Sequence, residues 1–207
     1  MRVPYIAAWT GENAPPAVIT TRHGRGGMGI GYAGEYGIAD RRRGALWIRV
    51  PVRHGAGAPL LGRVHALRQR LAMNHMLCQF CGRPTDDRPD GRHLFLLHAT
   101  SGKPVADGER TATPPVCDGC ALEVLSRPSV RRECVAVLVE HAAAWGVAGV
   151  VHAPETLRPV PGEHGEPFTL VAYDDPRLPW TLACREVVAL HGCTAVDLGD
   201  LTEHTAA

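Results

Sequence analysis

The first 58 residues carry hydrophobic patterns that are typical of extended structure. The segment AVITTR at 17–22 is rich in β-branched residues, and ALWIRVPVR at 45–53 alternates between two faces. The β-branched residues of the first segment and the period-two alternation of the second predict a β-strand in each. Because Pro51 cannot donate a ladder hydrogen bond, the second segment is predicted to be an edge strand.

Between Pro59 and Leu77 the apolar period changes to that of a helix. The apolar positions recur at spacings of four, three and four: Leu60, Val64, Leu67 and Leu71. Three arginines lie away from this stripe: Arg63, Arg68 and Arg70. The pattern predicts an amphipathic helix with a basic outer side, which leads directly into a pair of cysteines.

The rest of the chain alternates between strand-like and helix-like patterns. HLFLLH at 93–98 predicts an apolar strand, and the residues after Cys120 predict a short helix that stops at Pro128. Further strands are predicted at 134–141, 149–153, 168–174 and 193–198. An apolar stripe from Pro179 to Gly192 predicts a helix between the last two, giving a possible parallel βαβ unit.

These elements predict an α+β protein with a mixed β-sheet and two main helices. We divide it into an extended region with the basic helix (1–74), a cysteine-containing module (75–128) and an α/β region (129–207). The three regions are expected to pack as one unit, because a chain of 207 residues is small.

Composition places the chain among globular proteins. Hydrophobic residues make up 45% of it, and no run approaches the roughly 18 apolar residues that a membrane helix needs. The segment MRVPYIAAWTGENAPP lacks the apolar core of a signal peptide, so we expect a cytoplasmic protein without membrane contact. Thiols stay reduced in that compartment, so the seven cysteines favour metal ligation or free thiols over disulfides.

The charge is unevenly distributed along the sequence. Residues 1–92 hold 14 basic and 6 acidic side chains, whereas 93–207 hold 8 and 15, although the net charge is only +1. The division indicates either a nucleic-acid-binding face or attraction between the halves. Of the basic residues 21 are arginine and one is lysine, which favours a GC-rich genome such as an actinobacterial one.

The clearest chemical signal is a pair of cysteine motifs. Cys78 and Cys81 form one C-x2-C, and Cys117 and Cys120 form another, 35 residues further along the chain. Two such turns can surround one Zn²⁺ with four thiolates, and a site closed by four cysteines is structural rather than catalytic. The sequence therefore predicts a structural Zn²⁺ ion bound by these four residues.

A redox dithiol and unrelated buried thiols are the alternatives to a metal site for these cysteines. A redox dithiol normally occurs once, at a helix start that follows a strand, and unrelated buried cysteines have little reason to form two matched pairs. His75 offers an alternative H-x2-C-x2-C set, although a surface or supporting position suits it better because four thiols already complete a site. The paired spacing therefore favours the zinc site.

The order of knuckle, hairpin and helix around these motifs resembles the treble-clef zinc fold over residues 75–128. CQFCG and CDGC are similar to the zinc cradle of HNH-type nucleases, which also need a histidine base on the hairpin and an Asn or His on the helix. Here His93 and His98 have no acidic neighbour, and the helix reads ALEVLSR. The resemblance implies the cradle and does not supply the catalytic residues.

Two further motifs bear on binding. Gly29, Gly31 and Gly34 fit G-x-G-x-x-G, but the flanking sequence lacks the strand and helix of a dinucleotide site, which favours a glycine-rich hairpin. The candidate phosphate contacts are six arginines of the basic half: Arg41, Arg42, Arg43, Arg63, Arg68 and Arg70. The same arginines are also consistent with a basic face that contacts only solvent.

We therefore expect a zinc-stabilised protein that binds a nucleic acid or a protein partner through its arginine-rich half. The main alternative is an enzyme on the same scaffold, either a diverged HNH-like nuclease or an enzyme of specialised metabolism, and an accessory structural protein is a third possibility. The sequence assigns no catalytic residue.

Overall fold

A computed structural model describes residues 2–13, 17–24, 27–34, 40–86, 88–98, 105–162 and 165–196. These residues form a mixed α/β structure with β-sheets and three helices. The chain divides into two units: the first comprises 1–7, 61–144 and 188–207, and the second comprises 8–60 and 145–187. None of the helices in the described ranges is both long enough and apolar enough to cross a membrane.

The elements follow one another in this order. The strands are β1 (Ala7–Trp9), β2 (Ile19–Gly24), β3 (Gly27–Tyr32), β4 (Arg41–Arg42), β5 (Ala45–Trp47), β6 (Pro59–Val64), β7 (His93–His98), β8 (Arg110–Thr111), β9 (Cys134–Val139), β10 (His141–His152), β11 (Pro159–Val160), β12 (Thr169–Ala172), β13 (Thr181–His191) and β14 (Thr194–Ala195). The helices are α1 (Ala66–Asn74), α2 (Asp118–Leu125) and α3 (Pro128–Glu133).

In the first unit, β7 and β9 of the sheet β14-β9-β7 are buried on both faces, whereas β14 is exposed. β7 and β9 pair antiparallel, from His93 opposite Val139 to His98 opposite Cys134. Along β7 the side chains alternate between two clusters: Leu94 and Leu96 pack with α2, and Phe95 and Leu97 pack with Met73 of α1. Burial of both faces explains why HLFLLH has no polar residue in its interior.

A larger sheet has the order β11-β10-β13-β5-β4, in which β12 also pairs with β10 and β8 with β13. Strands β4, β5, β11 and β12 lie in the second unit, together with residues 145–152 of β10 and 181–187 of β13. β13 pairs parallel with β5, and β10 pairs antiparallel with β12. The glycine run forms the antiparallel hairpin β2–β3, with Gly24 opposite Gly27, which confirms the predicted glycine-rich hairpin. Within the glycine-rich segment 23–37, residues 25, 26 and 35–37 lie outside the described ranges.

The predicted helix from 59 to 77 is wrong in its first part. Residues Pro59–Val64 form strand β6, which pairs with β1, and the helix begins only at Ala66. His65 caps this helix, because its backbone is extended and its Nδ1 accepts a hydrogen bond from the Arg68 amide. Strand pairing has overridden the helical spacing of Leu60 and Val64.

The helix predicted from Pro179 is also wrong. Leu178–Trp180 form a single 3₁₀ turn, and Thr181–His191 form strand β13. Pairing of this segment with β5 in the sheet favours the extended state, as does the β-branched pair Val187 and Val188. Without this helix the predicted βαβ unit is absent from the described part of 129–207.

The predicted edge strand at 45–53 is shorter than expected. β5 ends at Trp47, so Pro51 lies outside it, and β5 has a partner on each side, β4 and β13. The four later strand predictions overlap β9, β10, β12 and β14 with different bounds: the strand predicted at 149–153 begins already at His141, and the one predicted at 193–198 is formed only at Thr194–Ala195 within the described residues. Residues 197–198 lie outside the described ranges.

Candidate metal centre

Four thiols converge in the first unit. The sulfur atoms of Cys78, Cys81, Cys117 and Cys120 all lie within 4.8 Å of one another, and Cys81 Sγ is 3.7 Å from Cys117 Sγ. Four thiolates placed tetrahedrally about 2.3 Å from a zinc ion would be about 3.8 Å apart. The cluster thus has the donor type and spacing of a metal site, and its four members are the cysteines that the sequence predicts as zinc ligands.

The first pair lies in a tight loop after α1. Cys78 N donates to Arg83 O at 2.7 Å, Gly82 N donates to Cys78 O at 2.8 Å, and Leu77 bridges Pro84. Gly82 has a φ of +73°, a conformation that costs glycine little and other residues more. These bonds fold 77–84 so that both sulfurs face the same point.

The second pair is placed by the start of α2. Cys117 is the N-cap residue, with φ −76° and ψ 152°, and Cys120 is the third residue of the helix. Side chains at the N-cap and at the third helical position lie close together, as they do in a capping box. The x2 spacing of this pair therefore follows from helix geometry.

Backbone hydrogen bonds hold the two pairs side by side. Gln79 N donates to Pro115 O at 2.9 Å, and Val116 N donates to Leu94 O at 2.8 Å. Pro115 and Val116, which lead to Cys117, are thus held between the loop at 77–84, here called the knuckle, and strand β7. Since β7 pairs with β9, and β8 pairs with β13, the described strands between the motifs are not paired with each other, and the hairpin predicted between the two cysteine motifs is wrong for these strands.

Burial and hydrogen bonding give the thiols different acidities. Burial raises the pKa of Cys117 to about 11, and burial together with the neighbouring Cys78 raises the pKa of Cys120 further. Burial also acts to raise the pKa of Cys81, but hydrogen bonds from the Arg83 amide and the neighbouring thiols bring it below its usual value. Bringing four thiolates together here therefore requires a cation to compensate their charge.

A cavity of about 730 Å³ opens beside the cluster. Its walls include Cys81, Cys117 and Cys120, together with three arginines: Arg2, Arg83 and Arg88. Arg88 forms ion pairs with Asp90 and Asp118, whereas Nη1 of Arg2 lies 3.7 Å from Cys120 Sγ. Arg2 could not be predicted from the sequence, because 118 positions separate it from Cys120 and no local pattern links them.

The six candidate phosphate-binding arginines differ in exposure. Arg42, Arg43 and Arg63 are exposed, whereas Arg41 and Arg70 are half-buried. Arg68 is only 4% exposed and donates to Ala7 O at 2.6 Å, so the predicted outward position of this residue on the helix is wrong. Arg63 lies on β6 rather than on the helix.

The uneven charge of the sequence does not follow the two units. Counted over its segments, the first unit holds 12 basic and 12 acidic residues, and the second holds 10 and 9. Each unit combines segments from both halves of the sequence, so the excess charges mix within each unit. The basic half of the sequence (1–92) and the acidic half (93–207) therefore do not correspond to a basic unit and an acidic unit of the structure.

The histidines near the cysteines have other partners or positions. The ring of His93 lies 2.9 Å from the Thr85 hydroxyl, and Nδ1 of His98 lies 2.7 Å from Glu133 O. His75 is exposed at the end of α1 and is not part of the metal-ligand cluster.

No protein-family model, curated protein or solved structure matches this chain.

Proposed function

We propose that Cys78, Cys81, Cys117 and Cys120 bind one structural Zn²⁺ ion in a treble-clef-like centre. The observation that supports this most directly is the convergence of four sulfurs within 4.8 Å from two segments of the chain. Soft thiolates in a tetrahedral set of four favour Zn²⁺ over hard cations such as Mg²⁺. Four protein ligands leave no open position for water, so the role is structural.

The order of elements supports a treble-clef-like arrangement. A knuckle at 77–84 precedes β7, a return segment is hydrogen-bonded to β7 through Val116, and α2 then supplies the second ligand pair. Zinc would tie the knuckle to the first turn of α2 on one face of the β14-β9-β7 sheet.

Elemental analysis tests the zinc proposal. Protein purified without added metal should contain one equivalent of zinc, and a Cys78→Ser and Cys81→Ser double variant should contain none. Cys184→Ser is the matched control, because this cysteine lies outside the cluster, in β13. Less than about half an equivalent in the wild-type protein, or equal content in the double variant, would contradict a four-cysteine site.

We further propose that the protein binds a nucleic acid through exposed arginines of the second unit. The supporting observation is the adjacent pair Arg42 and Arg43 at the β4–β5 turn, where both side chains are exposed. Arg43 also lies over the Tyr173 ring, with Cζ 5.2 Å from its centroid. A pair of guanidinium groups on a tight turn can contact neighbouring phosphates.

Gel-shift titration at two salt concentrations tests this second proposal. The wild-type protein should bind DNA or RNA at low salt and lose affinity steeply as salt rises, because counterion release drives phosphate binding. Arg42→Gln with Arg43→Gln should weaken binding, whereas Arg158→Gln, an exposed arginine elsewhere in the second unit, should have less effect. Absence of binding at low salt rules out nucleic acid and leaves a protein partner as the proposal to test.

A further inference from the structure

Residues 2–6, here called the strap, run along the knuckle at 77–84 that carries Cys78 and Cys81. Tyr5 N donates to Phe80 O at 3.1 Å, and Ile6 N donates to Gln79 O at 3.3 Å. The Tyr5 ring also packs on Gly82, where an added Cβ would lie 2.9 Å from the ring. The strap is fixed at its other end, because His65 N donates to Ile6 O at 2.8 Å.

The strap brings a guanidinium group to a ligand sulfur. Nη1 of Arg2 lies 3.7 Å from Sγ of Cys120, within hydrogen-bonding distance for sulfur. The other two sulfurs that face the cavity have backbone donors: the Arg83 amide for Cys81 and the Cys120 amide for Cys117. Arg2 thus offers a side-chain hydrogen-bond donor to Cys120, whereas the knuckle and α2 offer backbone amide donors to Cys81 and Cys117.

The negative charge of four thiolates around a zinc ion makes a cationic donor favourable at this position. Four thiolates around Zn²⁺ carry a net charge of −2, and such a centre is stabilised by hydrogen-bond donors around its sulfurs. Of the two other arginines that line the cavity, Arg88 is already paired with Asp90 and Asp118, and Arg83 is exposed, as Arg2 is, so it is the contact with Cys120 Sγ rather than burial that distinguishes Arg2.

We propose that Arg2 is a positioning residue of the metal centre, whose guanidinium donates to the Cys120 thiolate and increases the affinity of the four-cysteine site for zinc. This inference rests on the proposed zinc site and extends it to a residue outside both cysteine motifs.

Zinc competition with a chromophoric chelator tests the role of Arg2. Arg2→Met keeps a long side chain but removes the charge and the donor, and it should weaken zinc binding by about 10-fold, the lower end of the range found for supporting groups of metal sites, because Arg2 is exposed. Arg2→Lys should recover part of the affinity. Arg83→Met is the matched control, since it removes an exposed arginine from the same cavity, and its zinc affinity should stay within about twofold of wild type.

The Co²⁺-substituted protein gives a second measurement that general destabilisation would not change. A hydrogen bond to sulfur lowers the energy of its lone pairs, so Arg2→Met should move the sulfur-to-cobalt charge-transfer band to longer wavelength, whereas Arg83→Met should leave it in place. Wild-type protein that binds no zinc would refute the site itself. Tight zinc binding by wild type with equal affinities and spectra for Arg2→Met and Arg83→Met would refute only the role of Arg2.

Discussion

Replacement of Cys117 by serine tests how much the metal contributes to the stability of the first unit. Cys117 lies at the N-cap of α2, and its sulfur is 3.7 Å from that of Cys81 in the knuckle. A hydroxyl is a poor ligand for zinc in a thiolate set, so the variant loses one of the four bonds that join the knuckle to the helix. We expect zinc to be lost and the unit to be destabilised.

The size of the effect follows from the loop that the metal closes. Cys81 and Cys117 are 36 positions apart, and a cross-link of that span removes about 4 kcal/mol of chain entropy from the unfolded state in the loop-closure description. Direct zinc–thiolate bonding adds to this, so about 4 kcal/mol is the lower expectation. For a chain of this size, that loss corresponds to a fall in Tm of about 8 to 16 °C.

Thermal unfolding followed by circular dichroism, with zinc content measured on the same samples, provides the assay. Cys134→Ser is the matched control, because Cys134 is another half-buried cysteine of the first unit that lies outside the cluster. It should keep its zinc and lose about 1 kcal/mol or less. If Cys117→Ser unfolds at the same temperature as Cys134→Ser while the wild type holds zinc, the metal does not stabilise this unit.

Three further predictions concern pH and individual contacts. The pKa of about 11 for Cys117 means that this thiol is protonated in the metal-free protein at neutral pH. Zinc binding must displace the proton, so zinc affinity should rise by about tenfold per pH unit for each proton displaced. Competition titrations between pH 6 and 8 measure this rise, and an affinity that does not change with pH contradicts it. Gly82→Ala should cost about 1 to 2 kcal/mol in unfolding free energy from its positive φ, and more if the Tyr5 ring cannot shift; Gly91→Ala, with a similar φ and open space, is the control. Asp40→Asn removes the charge from a buried carboxylate that is paired with Arg49 at 2.7 Å. Denaturant unfolding should show that the free energy of unfolding falls by about 2 kcal/mol. An unchanged denaturation midpoint would mean that the ion pair makes no net contribution to stability.

The cluster of four cysteines could be predicted from the sequence because its signal is local. Each C-x2-C is set by one turn of backbone, a knuckle closed by Gly82 in one case and a helix N-terminus at Cys117 in the other. The strand HLFLLH was predictable for a similar reason, since burial on both faces leaves a continuous apolar run. In these places local preference and tertiary structure agree.

The elements that were predicted wrongly are those in which pairing with distant strands decides the conformation. The segment 59–64 has helical spacing, but it pairs with β1, about 50 positions earlier in the chain. The segment 181–191 also fits a helix, yet it pairs parallel with β5, whose residues lie more than 130 positions away. Sequence periodicity contains no information about such partners.

Arg2 and Arg68 show the same limit for single side chains. Both are arginines of the basic half of the sequence, and charge alone assigns no partner to either of them. In the structure Arg68 is buried against the carbonyl of Ala7, and Arg2 contacts a cysteine sulfur. Each contact depends on the path of residues 2–7, which no local pattern specifies.

The burial of Cys78 and Cys120 in the hydrophobic core supports the proposal that a metal bound here would stabilise the fold rather than take part in a reaction. Cys78 and Cys120 are members of the same buried cluster as Leu94, Leu96 and Ala121, so the ligands are also core residues on one face of the sheet. The helix that covers this face, α2, has only eight residues, and helices this short are not stable on their own in water. A metal ion bound at its first turn would join the helix to residues 77–84 in addition to its apolar contacts, and for that reason we expect partner binding to involve surfaces away from the four cysteines.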